Sequence, residues 1–428
     1  LIKFFELAFM KRRIFWVKQL FLLLLAVSFM FGGLASPAIA LTEEQRFVSE
    51  AWRLVDRAYV DDTFNHQNWW LVRQKALKQA IPDHESAYSS IQKMLAGLDD
   101  PFTRLLKPDQ YRSLQTNTSG ELTGVGLQIS LDAETKVLKV IAPIAGSPAD
   151  RAGVQPADTI LKIDGVPTAG LSLDEAAERM RGATGSRVVL TIQRTDSEPL
   201  SVEIVRDRIA LNPVTFELRV ADSQSAERPK TKIGYVRLAQ FNANATTEVS
   251  RAINLLEKQG AEAYVLDLRS NPGGLLLSGI EIARLWLDEG TIVYTVNRQG
   301  IEGSFEATGQ ALTKDPLVVL VNQGTASASE ILAGALKDNQ RATIIGERTF
   351  GKGLIQSLFD LSDGAGLAVT VAKYETPAHI DINKQGIKPD VIVPLDPLAI
   401  TPLGTQRDRQ YEAAVEFLTT PSMVAGAA

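Results

Sequence analysis

The chain has 428 residues, 45% hydrophobic and 22% charged, with 45 Lys+Arg against 50 Asp+Glu and a formal net charge of −5. So mildly acidic a chain, without a basic tract, is not expected to take nucleic acid as a partner. It has no cysteine and only three histidines (His66, His84 and His379), which excludes a disulfide framework and a cysteine nucleophile; neither a Gly-x-Ser-x-Gly elbow nor a His-Glu-x-x-His helix occurs, so no metal or cofactor is expected.

Residues 1–40 read as a signal peptide. Met10 opens the basic stretch Lys11-Arg12-Arg13, an almost uncharged run follows from Leu20 to Leu34, and Ala38-Ile39-Ala40 supplies a small-residue cleavage pattern. Met10 is then the expected true start. The competing reading is a retained anchor, for which the apolar run is short. Such a signal serves export to a periplasm or a thylakoid lumen equally well, and the exported chain must be held together by packing alone.

Residues 41–118 form an expected helical region. Thr42-Glu43-Glu44-Gln45 reads as a capping box, and Val48, Trp52, Val55 and Tyr59 recur at helical spacing. Further helices are predicted from Gln67 to Ala80, ahead of Pro82, and from Ser86 to Leu98. Trp69 and Trp70 are both expected in packing contacts.

From residue 119 to 208 short strands alternate with glycines: Leu127–Ile129, Val137–Ile141, Thr159–Ile163 and Val188–Ile192, with a turn at Asp164-Gly165 and one amphipathic helix from Ser172 to Arg181. The glycines of Gly124-Val125-Gly126-Leu127 can expose successive N–H groups to a carboxylate while the strand edge takes an extended peptide; a glycine bulge is the plainer reading.

From residue 209 to 428 strand and helix alternate: strands Ile233–Leu238, Tyr264–Leu268, Ile292–Val296, Leu317–Val321 and Ala342–Ile345, with helices Thr246–Gln259, Leu276–Leu287 and Ala328–Lys337. This predicts an α/β layer with a mostly parallel sheet. Ser223 to Lys232 is polar and reads as an exposed loop.

Two segments of this last part carry chemistry. Ser327, in Gly324-Thr325-Ala326-Ser327-Ala328-Ser329-Glu330, follows a buried strand and precedes a helix, where backbone N–H groups are unpaired and the helix dipole is positive. An oxyanion formed by its attack on a carbonyl can be held by the N–H of Ala328. The same run is also a formal capping box, and Ser329 and Thr325 are rival hydroxyls. Lys352, in Phe350-Gly351-Lys352-Gly353, becomes a general base if burial lowers its pKa from about 10.4. Apolar neighbours Phe350, Leu354 and Ile355 flank it, and Gln356 is placed to orient the amine.

The run from Gly346 to Lys352 also fits the first seven positions of a phosphate loop, but Gly353 stands where a magnesium-binding Ser or Thr is needed and no helical stripe follows. Asp267-Leu268-Arg269-Ser270-Asn271-Pro272-Gly273-Gly274 closes another strand; its glycines present N–H groups to an anion or merely make the turn. His379 leaves a histidine-based hydrolase as a rival, and a non-enzymatic C-terminal peptide-binding scaffold is the alternative from outside enzymology.

Taken together, the runs Gly324–Glu330, Gly346-Glu347 and Thr349–Gly353 with Gln356 resemble the core of the carboxyl-terminal processing, or tail-specific, proteases. The resemblance implies a Ser327/Lys352 dyad assisted by Gln356, with an oxyanion hole from Gly273 and Ala328, Gly274 being next in register. Gly124–Leu127, Gly146-Ser147-Pro148-Ala149, Ala152-Gly153-Val154, Asp158 and Asp164-Gly165 are similar to a PDZ domain that binds substrate C-termini. Leu98–Thr103 and Gly386-Ile387-Lys388-Pro389-Asp390 match the usual flanks. The implied fold is an α/β multidomain protein: a crotonase-like α/β serine protease core, an inserted PDZ domain and an N-terminal helical region. Leu41–Gln45, Glu50–Arg53, Val55–Val60 and Asp62–Phe64 are similar to the cyanobacterial and chloroplast enzymes that trim the photosystem II reaction-centre precursor. That likeness implies protein substrates bound through their C-termini, among them a membrane-protein tail on the lumenal side.

Overall fold

In a computed structural model the described residues are 41–132, 135–194, 197–221, 230–395, 404 and 408–420. The signal-peptide reading and most of the polar loop from Ser223 lie outside them.

Three helices open the described chain: α1 (Glu43–Ala58), α2 (Trp69–Lys78) and α3 (His84–Ala96). The capping box at Thr42 forms, with Gln45 bonded back to the Thr42 N–H, and Asn68 and Asp83 cap the other two. Phe47, Val48, Ala51 and Val55 pack with Trp69, Ile91 and Leu95. Trp70 differs from the expectation for the tryptophan pair. It is 57% exposed, because consecutive helical positions point about 100° apart and only Trp69 faces the bundle.

After β1 (Arg104–Leu106) and α4 (Pro108–Ser119), β2 (Glu121–Gly124) leads into a small barrel-like module. Its sheet runs in the order β3 (Leu127–Leu131), β4 (Leu138–Pro143), β5 (Thr159–Ile163), β7 (Arg187–Gln193), β8 (Leu200–Val205), with β6 (Val166–Pro167) on β5. Helices α5 (Pro148–Arg151) and α6 (Leu173–Met180) complete it. Ile160, Ile163, Val188, Leu190, Ile192, Ala176 and Met180 make its separate core. The chain leaves through β9 (Asp207–Ala210), antiparallel to β2, so entry and exit form one ribbon.

The remaining chain builds two sheets. The larger follows β10 (Val214–Ala221), β11 (Thr231–Leu238), β12 (Ala263–Asp267), β15 (Leu317–Val321), β16 (Thr343–Gly346) and β19 (Val391–Ile392); β10 is antiparallel and the rest are parallel. Both faces are covered, which is why β12 and β15 are apolar at nearly every position. Tyr264 and Leu266 face helices α7 (Ala245–Lys258), α8 (Leu276–Arg284) and α9 (Ala328–Asp338), whereas Ala263 and Val265 face α10 (Arg409–Thr419). The second sheet joins β1, β18 (Gly366–Glu375), β13 (Thr291–Asn297) and β14 (Gly300–Glu306), with β17 (Leu354–Asp360) on β18. Because β1 pairs with β18, the N-terminal region is hydrogen-bonded into this sheet.

The architecture is mixed α/β, with N-terminal helices and an inserted small β module.

Candidate active site

Three loops meet at the C-terminal ends of the parallel strands, where α/β sheets commonly place their sites. They follow β12, β15 and β16. Backbone and side-chain hydrogen bonds bind them into one unit. Ala326 N donates to Asn271 O (3.0 Å), Ser270 N to Asn322 Oδ1 (2.8 Å), and Phe350 N to Thr325 O (3.0 Å).

Those bonds separate the rival hydroxyls. Thr325 Oγ1 donates to Leu268 O at 2.9 Å and Ser329 Oγ to Asn271 O at 3.0 Å, and both residues are fully buried. Each is used up in joining loops. Ser327 lies between them with φ 58° and ψ −119°, a backbone conformation strained for any residue with a side chain, and it lines a cavity of about 380 Å³. Its Oγ makes no capping hydrogen bond. What survives of the capping box is its other half: Ser327 N donates to Glu330 Oε2 at 2.9 Å.

Glu330 has a larger part than a cap. Its carboxylate is 0% exposed and accepts from Ser327 N, Gly351 N (2.7 Å), Lys352 N (2.8 Å) and Thr349 Oγ1. One carboxylate thus ties the serine turn to the lysine loop. Tyr374, buried on β18, adds a second tie: its single O–H lies within hydrogen-bond reach of both Lys352 O (2.7 Å) and Ser327 O (3.1 Å). The phosphate-loop reading fails on the same geometry: the Gly351 and Lys352 N–H groups are bonded to Glu330, and a strand, β17, follows.

Lys352 lines the Ser327 cavity. Burial pushes its pKa down, Arg104 pushes it further, and Asp100 and Glu330 oppose them with a net lowering. Among the described residues its Nζ has neither an ion pair nor a hydrogen bond. Instead it sits 4.8 Å from the centroid of the Phe102 ring. Gln356 lines the cavity too, but its Nε2 reaches Thr370 Oγ1 at 3.4 Å and not the amine. Phe102, Arg104, Tyr374 and the wider role of Glu330 escaped the sequence analysis. Only the run Asp99-Asp100-Pro101-Phe102-Thr103 had drawn notice, as a flank.

Gly273, Gly274 and Ala328 line the cavity as well. A Cβ on Gly273 would lie 2.7 Å from Ala326 O and 2.8 Å from Ser327 Cβ, so no larger residue fits beside Ser327. The Gly273 N–H donates to Asn271 Oδ1 at 2.9 Å. Among the described residues the N–H groups of Gly274 and Ala328 have no acceptor. His379 is remote from this arrangement: it stacks on Tyr294 at 4.2 Å, bonds Glu375 at 3.0 Å and is no part of the cavity wall.

In the small β module the segment Gly124–Leu127 joins β2 to β3, an edge strand of its sheet. Gly126 has φ 79°, and its carbonyl accepts from Ile144 N (2.9 Å) and Ser147 Oγ (3.1 Å), which holds the turn against the module. Helix α6 packs against β3, the helix and edge strand between which an added strand is taken in β-augmentation.

A serine and an unpaired buried amine in one cavity, beside unoccupied backbone donors, are the parts of a serine hydrolase of the Ser-Lys kind. Comparison with known proteins narrows this. "Peptidase family S41" matches residues 232–393 and "PDZ domain" matches residues 139–194. A carboxyl-terminal-processing protease of Picosynechococcus sp. is 59% identical over 94% of this chain and 96% of its own. One from Synechocystis sp. is 56% identical over 96% and 94%. The solved structure of a photosystem II D1 C-terminal processing protease superposes with a TM-score of 0.56 at 43% identity, covering 89% of this chain and 99% of the other. The chain belongs to the carboxyl-terminal-processing protease family, peptidase family S41. It is an exported serine endopeptidase of thylakoid lumen or periplasm, with a PDZ domain for protein tails.

Proposed function

We propose that this enzyme cuts protein substrates near their C-termini with Ser327 as nucleophile and Lys352 as general base and acid. Neutral Lys352 takes the Ser327 Oγ proton as the oxygen attacks the peptide carbonyl, then returns it to the leaving amine. A water attacks the acyl-enzyme with Lys352 again as base. The oxyanion is held by Ala328 N–H and the glycine turn, where Gly274 N–H is the free donor; Gly273 serves only if its bond to Asn271 opens. Gln356 acts on Lys352 through Thr370 and the loop bonded to it. The observation that carries the reading is that a buried amine without a hydrogen-bond partner shares one cavity with the strained serine.

The reading extends to the whole chain. Gly124, Val125, Gly126 and Leu127 take the substrate's terminal carboxylate while β3 pairs with its last residues. The unit boundaries are 1–40, 41–118, 119–208 and 209–428, and the catalytic core is of the crotonase type, supported by its parallel layer backed by α7 to α9. The substrate is a lumenal tail of a membrane protein; the photosystem II D1 protease named above supports the reaction-centre precursor as that substrate.

The test is cleavage of an unstructured protein tail by wild type, Ser327→Ala, Lys352→Ala and Lys352→Arg, with products read by mass spectrometry. Cleavage near the C-terminus by wild type alone is expected. The arginine variant should be as inactive as the alanine one, because a guanidinium does not shed its proton. An active Lys352→Arg enzyme would overturn the role of the amine, and tail binding without cleavage by any form would favour the scaffold.

A further inference from the structure

Lys352 Nζ and Ser327 Oγ line the same cavity but are not hydrogen-bonded to each other, and the ammonium rests on the Phe102 ring. A largely buried ammonium without a carboxylate or carbonyl is costly unless something else stabilises it. The face of an aromatic ring does so through its quadrupole, more strongly where water is excluded. Phe102 is not a chance neighbour. Its N–H donates to Asp100 Oδ1 (2.9 Å), and Asp100 Oδ2 accepts from Thr103 Oγ1 and Thr370 Oγ1, both at 2.7 Å. Thr370 N donates back to Thr103 Oγ1 at 3.0 Å, so the turn is pinned to β18. The ring, with Leu354, lines both the Ser327 cavity and a second one of about 410 Å³.

We propose that Phe102 is a positioning residue for the general base: it parks the protonated Lys352 in the resting enzyme and yields the neutral amine to Ser327. The proposal rests on the Ser327/Lys352 reading. Its physical basis is that the ring attracts the cation and has no comparable hold on the free amine. Loss of the proton therefore removes the grip that keeps Nζ from Ser327, and the flexible side chain then finds Oγ as its hydrogen-bond partner. Gln356 gains a role on the same terms, since its contact with Thr370 Oγ1 touches the network that fixes the ring.

The charged and titratable groups around the amine are few. Arg104 and Asp100 come from the same N-terminal segment, Glu330 from α9, and Tyr374 from β18. Across the second cavity lie Asp61, Asp99, Lys373 and Lys384. None of them is removed by a change at Phe102, so a shift in the pH profile reports the ring.

The experiment is the pH dependence of kcat/KM for tail-peptide cleavage by the full chain, with Phe102→Leu, Phe102→Tyr and a 3,4,5-trifluorophenylalanine at position 102. The ring favours the protonated amine, so its loss lowers the Lys352 pKa. Phe102→Leu should move the acidic limb down by about 0.4 to 1.5 pH units. The fluorinated ring keeps shape and packing while draining its π charge, and should move the limb the same way. Phe102→Tyr should leave the limb in place. A purely structural ring would alter the melting temperature without moving the limb. An unmoved limb with the fluorinated ring, or equal shifts in the Tyr and Leu variants, overturns the proposal. Activity surviving in Lys352→Ala would instead remove the dyad reading beneath it.

Discussion

Glu330 is the position where a conservative change should be most damaging. Glu330→Gln keeps size and shape but replaces one carboxylate oxygen by an NH2 group. Wherever that NH2 turns, it faces two donors: either Ser327 N–H and Lys352 N–H, or Gly351 N–H and Thr349 Oγ1. Hydrogen bonds to a charged acceptor contribute about 1.5–3 kcal/mol each, so losing two costs about 3–6 kcal/mol. That is a large share of a typical folding stability of about 5–15 kcal/mol, yet not all of it. The variant should fold with a melting temperature lower by on the order of 10 °C. A displacement of about 1 Å between the serine turn and the lysine loop costs roughly 100-fold in rate. Peptide cleavage should therefore show kcat down by about that factor with KM little changed, while calorimetry follows the fold. Thr349→Val removes one donor to the carboxylate and the acceptor of Ile387 N–H, so it should lower the melting temperature while reducing kcat less than Glu330→Gln. A Glu330→Gln enzyme with wild-type kcat and melting temperature would refute the idea that this carboxylate holds the serine turn and the lysine loop together.

Three further outcomes follow from the same contacts. Arg104 is exposed and, after burial, contributes most to lowering the Lys352 pKa. Arg104→Gln should let that pKa rise and move the acidic limb of the pH profile upward, less so in high salt; a downward shift would contradict the geometry. Asp408 pairs with the fully buried Arg269 at 2.7 Å. Burial raises the Asp408 pKa, but Arg269 and backbone N–H groups outweigh it and hold the carboxyl below the usual range. Its stabilisation is thus complete above about pH 4 and is lost as pH falls through the lowered pKa. Asp408→Asn should cost about 3 kcal/mol in denaturant unfolding at neutral pH, Asp267 remaining as partner; a change under 0.5 kcal/mol would show that the pair does not secure α10. Gly126→Ala places a Cβ 2.3 Å from Ser147 Cβ at a φ of 79°. It should weaken tail binding measured by calorimetry in a Ser327→Ala background at least tenfold; unchanged affinity would mean this loop does not meet the tail.

Local pattern was enough for several elements because local forces make them. The Thr42 capping box, the stripe of α1 and the strand–helix alternation of the core involve neighbours within a few residues. The alternation called β11, β12, β15 and β16, and it missed the second sheet almost entirely. β14 is stabilised by pairing with β13, β17 by pairing with β18, and β18 also by β1, more than 250 residues away in the chain, and such pairing leaves little periodic trace in a half-buried strand.

The candidate site divides the same way. The sequence by itself determined the chemistry on offer: without cysteine and with isolated histidines, it put forward a serine beside a helix start and a lysine between glycines as the candidates for nucleophile and base. Only the tertiary structure distinguishes the three hydroxyls, since Thr325 and Ser329 are spent on carbonyls of the neighbouring loop. It alone turned Glu330 from a helix cap into the tie between the two halves of the site. And it alone set Phe102 against the lysine, because a cation on an aromatic face is made by residues 250 positions apart meeting in space, which no spacing in the chain encodes.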